Sequence, residues 1–191
     1  MVATTDGIGY GIRQVNIKNL LATGAADASA SEYIIDNPQR MAMTFVYIDG
    51  EQVILRGGDD IVALIQDDDK FVGVDISLEL AELMPEVDET ICGGSATPAS
   101  SQWESPQDDT EAAFPFEMEV WVANYDESDS ESSQDGFIKY TFPLCKGRRD
   151  SGEHADKAFG TQIYSIRARK NSSNPSAIAS AIKYEKVASI V

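Results

Sequence analysis

Few residues of this 191-residue chain are of the types that catalyse reactions at neutral pH. His154 is the only histidine, and it stands in a charged, polar stretch. The two cysteines, Cys92 and Cys145, lie far apart in the sequence and form no CxxC pair, so the sequence predicts neither a zinc site nor a disulfide framework. The motifs G-x-S-x-G and H-E-x-x-H are both absent. A Ser-His-Asp or Cys-His catalytic device therefore has weak support.

Three other features could bind a ligand or carry out hydrolysis, and each has a simpler interpretation. The glycines of segment 7–11 precede a predicted strand, whereas a dinucleotide fingerprint follows a strand and opens a helix. The acidic run 126–135 lacks the spacing of a calcium loop. An acid pair such as Asp75 and Glu117 could hydrolyse a glycoside, but nothing in the sequence brings the two together. We therefore predict a protein that is not an enzyme and that holds no metal and no cofactor.

The charge is high and unevenly distributed. The chain has 32 acidic and 15 basic side chains, for a net charge of −17. Residues 1–138 carry a net charge of −23, and residues 139–191 carry +6. Because proteins that grip nucleic acid neutralise phosphates with Lys and Arg, ordinary DNA binding is excluded, although DNA could slide past such a surface. An acidic body with a basic C-terminal part could also attract copies of itself head to tail; the alternative is that both parts are solvated surfaces.

The hydrophobic pattern predicts mostly β-strands. In segment 71–79, for example, Val74 and Ile76 alternate with Asp75 and Ser77, as in a strand with one buried face. The Asp49-Gly50 pair predicts a tight hairpin between segments 40–48 and 51–56. The remaining predicted strands are 10–20, 114–123, 136–145, 159–169 and 182–190.

Helical signals are few and the predicted connections are long. Segment 59–66 is compatible with one short helix, and segment 80–92 predicts a helix of two to three turns around Pro85 that ends at Gly93-Gly94. The predicted fold class is mainly β: one domain, 1–191, with a β-sandwich or barrel, one flanking short α-helix and long loops. Residues 1–9 form a lead-in, and the loops are 22–31, 93–113, 124–135, 146–157 and 171–181. Several long arms on a small β core are typical of a subunit that reaches into its neighbours, although they are also compatible with disordered surface.

The segment from Gly50 to Val87 resembles the central block of the major tail-tube proteins of long-tailed (siphovirus) bacteriophages. The matching pieces are Arg56-Gly57-Gly58-Asp59, Gly73-Val74-Asp75-Ile76, Pro85-Glu86 and Gly93-Gly94. The opening YGIRQVNI is similar to the first strand of that family. The resemblance covers about half of the chain in its motifs and the rest only in layout.

The resemblance implies a structural virion protein without catalytic residues. Its subunits would form hexameric rings that stack into a tube, and the tube would conduct DNA. The implied partners are further copies of the chain, the tape-measure protein, and the tail terminator and baseplate proteins. The implied location is the virion tail, with assembly in the host bacterial cytoplasm. No apolar run approaches the roughly 20 residues needed to span a bilayer, so no membrane association is predicted.

Two sets of residues follow as candidates for the two roles of such a subunit. An acidic lumen would repel phosphates and keep DNA mobile. The lumen-facing candidates are Asp75, Ser77, Glu79, Glu117 and Glu119. The inter-subunit candidates are Arg148, Arg149, Arg167, Arg169, Lys170, Asp67, Asp68 and Asp69.

Two other structural functions stay open at the level of sequence. One is a monomeric β-sandwich that decorates a virion or binds carbohydrate, for which exposed Trp103 and Trp121 would be the best support. The other is the inner-tube subunit of a contractile injection system, which shares the fold implied by the resemblance. Rings or tubes in electron micrographs would separate the assembling subunits from a monomeric module.

Overall fold

The computed structural model describes residues 8–27, 29, 31–57, 60–108, 112–125, 134–153, 160–172 and 180–190. The first half of the chain contains β1 (Ile8–Asn19), β2 (Glu32–Ile35), β3 (Pro38–Ile48), β4 (Gln52–Gly57), β5 (Asp60–Gln66), β6 (Lys70–Leu80) and α1 (Pro85–Cys92). The second half contains β7 (Ser95–Thr97), β8 (Gln102–Glu104), β9 (Phe116–Tyr125), β10 (Gln134–Glu153), β11 (Thr161–Arg169) and β12 (Lys183–Val187). The predicted class, mainly β with one short helix, is confirmed.

One antiparallel sheet organises most of the strands. Its order is β2-β1-β9-β10-β11-β6-β3, and β12 pairs with β10 beside this path. Because β2 and β3 are the two edges of the path, the sheet is open and is not a closed barrel. Two small hairpins, β4-β5 and β7-β8, stand outside the sheet.

β10 is long because it serves two parts of the sheet. Its residues 137–141 lie between β9 and β12, whereas residues 145–153 pair with β11. The pairing with β9 shifts register around Pro143, which has no N–H to donate. The buried Asn171 side chain donates hydrogen bonds to the carbonyl oxygens of Pro143 (3.2 Å) and Gly24 (2.8 Å). Residues 146–153, which the sequence predicts as loop, therefore continue the strand.

The core lies on one face of the sheet and beneath α1. Alternating residues of the strands are buried there, among them Val74, Ile76 and Leu78 of β6. Val87 and Ile91 of α1 close the same core. Pro85 begins the helix, where its missing N–H is not needed, and Gly93 ends it with φ of +79°. Among the described residues, no helix is long and apolar enough to cross a membrane.

β3 to β6 form one long two-stranded hairpin rather than the short one that the sequence predicts. β3 pairs with β6 as far as Ile48 with Lys70, and the same register resumes where β4 pairs with β5 at Gln52 and Gln66. The pairing of β4 with β5 continues as far as Gly57 and Asp60. The predicted hairpin turn at Asp49-Gly50 is therefore wrong.

The segments 49–51 and 67–69, which we call the neck, join the two halves of this hairpin. The Asp67 N–H donates to the Glu51 carbonyl at 3.0 Å, and the Gly50 N–H donates to Asp69 Oδ1 at 2.9 Å. A Cβ at Gly50 would overlap the Asp67 carbonyl, so the glycine allows the two segments to cross closely. This close approach, rather than a turn, explains the Asp-Gly pair.

Other predictions differ from the structure in a few places. The helix predicted for 59–66 is wrong, because residues 60–66 form β5. The predicted loop 93–113 contains the β7-β8 hairpin, and Ile8 and Gly9 of the predicted lead-in belong to β1. His154 and the acidic positions 126–131 lie outside the described residues.

Candidate assembly surfaces

The five predicted lumen residues all face away from the core. On β6, Asp75, Ser77 and Glu79 alternate with buried Val74, Ile76 and Leu78. On β9, Glu117 and Glu119 alternate with buried Met118 and Val120. The strand order places two strands, β10 and β11, between these two groups. The outer face of the sheet therefore carries two separate polar clusters.

Asp75 and Ser77 of the first cluster line a groove of about 480 Å³ across β3, β6, β11 and β10. Small side chains lie across its middle, where Ala42, Ser77 and Ser165 are cross-strand neighbours. A second row of neighbours places Asp75 opposite Arg167, and Arg167 opposite Lys146. We call this surface the basic groove, because its lining includes Lys146, Arg148 and Arg167 but only one acid, Asp75.

Ion pairs connect one predicted lumen acid, Asp75, to two predicted interface arginines within one chain. Arg167 Nε lies 3.1 Å from Asp75 Oδ1, and an Arg169 guanidinium nitrogen lies 3.8 Å from the same oxygen. Arg148 Nε pairs with Asp150 at 3.1 Å. Hydrogen bonds from Ser165 and Arg148 lower the pKa of the Asp150 carboxyl. The outer face is consequently mixed in charge, and not a uniformly acidic surface.

The second cluster contains Glu117, Glu119 and Lys139. Lys139 Nζ lies 2.9 Å from Glu119 and 3.6 Å from Glu185. Burial, followed by repulsion from Glu119, raises the pKa of Glu117. The Lys139 ammonium group also lies 5.1 Å from the centre of the Trp121 ring. One lysine thus balances two acidic side chains on this part of the outer face.

Arg149 points the opposite way from its neighbour Arg148 and is held inside the chain. Its guanidinium donates to both carboxylate oxygens of Asp88 on α1, at 2.5 Å each. The Tyr164 hydroxyl also donates to Asp88, at 2.8 Å. Trp103 of β8 stacks on the guanidinium at 5.1 Å and donates from Nε1 to the Gly93 carbonyl at 2.9 Å. The sequence gives no signal for this buried cluster, because its members come from four separate elements.

β4 and β5, which we call the ribbon, expose apolar side chains on both faces. Leu64 and Ile65 are 54% and 63% exposed, although consecutive strand residues point in opposite directions. Ile54 on the paired strand is exposed as well. Further exposed apolar residues continue along the hairpin past the neck: Phe45, Tyr47, Ile48 and Phe71. Nothing in the described chain covers this apolar surface.

The neck is strongly acidic. Asp49, Glu51, Asp67, Asp68 and Asp69 are all exposed there, and Lys70 is the adjacent base. Asp67, Asp68 and Asp69 are the acidic residues that the sequence predicts at an interface between subunits. Lys170, a base predicted for the same interface, is exposed just after β11. None of the five neck acids forms an ion pair with a base in the described part of the chain.

Neither cysteine is placed as an activated nucleophile. Burial and the nearby Asp88 carboxylate raise the pKa of the Cys92 thiol to about 11. Cys145 is fully buried, and burial raises the pKa of its thiol still further. Within the described residues, no group of His, Cys, Asp and Glu side chains is arranged to hold a metal ion.

The hypothetical acid pair, Asp75 and Glu117, is not brought together. The two residues lie on β6 and β9, which are separated by three strand spacings, or about 14 Å measured along the sheet. That separation is larger than the roughly 5–9.5 Å between the carboxyl groups of glycoside hydrolases. Asp75 is also engaged by Arg167.

Comparison with known proteins finds structural likeness at a distant level, without a match to a sequence family. No protein-family model matches the chain, and no curated protein matches it. Among solved structures, the chain is similar to a chain of the cryo-EM structure of the anti-feeding prophage (AFP) baseplate, 6-fold symmetrised. The TM-score is 0.41 at 10% identity, over 96% of this chain and 97% of that chain. A likeness this distant does not place the chain in a family.

Proposed function

We propose that this protein is a structural subunit that assembles with copies of itself, of the type found in phage tail tubes. Hexameric rings of the chain would stack into a tube that conducts DNA. The inner-tube subunit of a contractile injection system is the nearest variant of this proposal, since the same surfaces would serve both tubes.

The exposed apolar surface of the ribbon is the observation that best supports this proposal. A two-stranded hairpin is marginally stable in water unless a third strand or another layer packs on it. The ribbon and neck together extend about 30 Å, at 3.3 Å per residue. Along this length Ile54, Leu64 and Ile65 are exposed. A neighbouring subunit would cover these side chains and shield the open strand edges, which otherwise promote uncontrolled pairing.

The motifs that resemble tail-tube proteins fall at defined places in the fold. Gly73 to Ile76 lie in β6, next to the groove, and Pro85-Glu86 begins α1. A Cβ at Gly73 would overlap the Arg169 side chain, so glycine is required for that arginine to lie across the strand. Gly57, from the Arg56-Gly57-Gly58-Asp59 piece, pairs with Asp60 at the end of the ribbon. The resemblance therefore supports the proposal through positions that have structural roles.

The proposal also includes the passage of DNA through the channel of the tube. The five lumen candidates face outward from the core, as residues lining a channel must. Two of them form ion pairs, Asp75 with Arg167 and Glu119 with Lys139, which gives such a lining a mixed charge. A lining of this kind would still lack the excess of cations that holds phosphates tightly.

The competing proposal, a monomeric binding module, loses its main support. Trp121 is 2% exposed, and Trp103 is half-buried against Arg149. Neither indole is available as a flat platform for a sugar ring or a peptide.

A matched pair of variants tests the role of the ribbon. Ile65→Glu places a charge on the exposed ribbon, and Leu83→Glu does the same at a residue of similar exposure, 58%, outside the ribbon. We expect Ile65→Glu to weaken self-association by about 10- to 100-fold in sedimentation velocity, because it removes the burial of one large aliphatic side chain. Leu83→Glu should associate like the wild type. Equal association by both variants and the wild type would exclude the ribbon as the assembly surface.

A further inference from the structure

The basic groove has the shape and charge of a docking site for an acidic segment. Its middle is shallow because Ala42, Ser77 and Ser165 are small and lie side by side on three strands. Two exposed bases of β10, Lys146 and Arg148, stand along one side. An extended chain could therefore approach the sheet closely between the longer side chains.

The cations of the groove retain capacity for further partners. Arg148 and Arg167 each pair with one carboxylate, yet their side chains remain 79% and 65% exposed. Lys146 forms no ion pair with any described residue. A guanidinium has five N–H donors, so a single carboxylate leaves most of them available.

The neck carries the complementary charge. Five exposed carboxylates are concentrated in two short segments, 49–51 and 67–69. One of them, Asp69, accepts the Gly50 N–H, which holds the two segments together. Exposed apolar residues flank the acids on both sides, with Ile65 before them and Phe71 after them.

We propose that the neck of one subunit docks in the basic groove of the next. The inference rests on the proposed function and names the two surfaces that meet. Each subunit would give its neck to one neighbour and its groove to another, and such a heterologous contact generates rings or open stacks. It assigns Asp75 and Ser77 to an interface between subunits instead of to the lumen.

Charge reversal tests this pairing on the assembling chain. The groove variant is Lys146→Glu with Arg148→Glu, which leaves the Asp75–Arg167 pair intact; the neck variant is Asp67→Lys with Asp68→Lys. We expect each to weaken association by about 10- to 100-fold at low salt, and we expect the four-substitution variant to recover most of the loss. A control with the same charge change away from the groove, Lys18→Glu with Lys183→Glu, should associate like the wild type.

The possible results separate this inference from the proposed function. If the wild type assembles and the groove variant assembles equally well at low salt, the docking inference is overturned while the proposed function stands. If each variant loses assembly but the combined variant does not recover, the neck and the groove do not meet. Circular dichroism of every variant establishes that the fold is retained.

A peptide experiment tests the groove even if the wild type stays monomeric. The probe is a labelled synthetic peptide with the sequence of residues 64–71, LIQDDDKF, and the control peptide replaces its three aspartates by asparagine. Fluorescence anisotropy should report binding of the acidic peptide to the wild type and at least tenfold weaker binding to the groove variant. Equal binding of the two peptides would overturn the inference.

Discussion

At the scale of single residues, Arg149 and Arg148 are neighbours on β10 whose side chains point to opposite faces of the sheet. Arg149 pairs with Asp88, which is 3% exposed, whereas Arg148 lies in the basic groove. Burial raises the pKa of the Tyr164 hydroxyl, which donates to the same carboxylate. The buried cluster ties α1 to β10 and β11, and Trp103 attaches the β7-β8 hairpin to it.

Arg149→Leu should therefore destabilise the fold by about 3–5 kcal/mol, because it leaves the Asp88 carboxylate buried without a counter-ion. Arg148→Leu is the control, and it should change the free energy of unfolding by no more than about 0.5 kcal/mol. Urea denaturation of both variants measures the difference. Similar losses for the two substitutions would contradict the assignment of Arg149 to the interior.

The effect of Glu117 on the stability of the fold should depend on pH. Its pKa in the fold is raised above the ordinary value of 4.5 by burial and by Glu119. The ionised form therefore costs stability at neutral pH, and the cost disappears as the pH falls through the raised pKa towards the unfolded value. Glu117→Gln should accordingly stabilise the protein at pH 7 by less than about 1 kcal/mol, since solvent screens this half-exposed group.

Thermal unfolding of Glu117→Gln between neutral pH and pH 4 measures this effect. The advantage over the wild type should shrink steadily on acidification. Glu119→Gln is the matched control, and it should bring no gain at pH 7 because it removes the partner of Lys139. A Glu117→Gln advantage that grows in acid would show that the sign of the pKa shift is wrong.

At the scale of elements, α1 lies against β10 at Gly147. A Cβ at that position would come within 2.6 Å of Ile91 Cγ2, which belongs to the core-facing side of the helix. Gly147→Val should cost about 1–3 kcal/mol by forcing the helix away from the strand. Gly152→Val is the control, since a Cβ there meets only the end of the Gln162 side chain and does not meet α1. Equal losses in urea denaturation would mean that α1 does not pack this closely.

The alternating strands could be predicted from the sequence, because one of their faces is buried. β6 and β9 have a period of two, and the structure buries Val74, Ile76, Met118 and Val120 as that period requires. The short helix could be predicted as well, from Pro85 at its start and the glycines at its end.

The ribbon could not be predicted for the opposite reason. Leu64 and Ile65 are exposed on opposite faces, the sequence of β5 does not alternate, and its run of apolar residues is equally compatible with a helix. Asp49-Gly50 has the composition of a turn, but the structure uses the glycine for the close crossing with Asp67. The Asp88–Arg149 pair also lacked a signal, since 61 residues separate its members.

At the scale of the whole molecule, the acids of the neck and the bases of the groove lie on different surfaces. The neck carries five exposed acids, while β10 and β11 provide Lys146, Arg148, Arg167 and Arg169. The sequence indicated this division between the two parts of the chain. It did not indicate that two of the predicted lumen acids, Asp75 and Glu119, form ion pairs with bases of the same chain. Such a molecule can attract copies of itself without attracting phosphates as a whole.

The central claim is that the chain assembles through surfaces that a single copy leaves open. Electron microscopy of the purified protein over a range of concentrations, at low and high salt, tests it most directly. The account predicts rings with sixfold symmetry, or tubes made of stacked rings, that become more abundant with concentration and less abundant at high salt. Monodisperse single subunits at every concentration, in both salts, would contradict it.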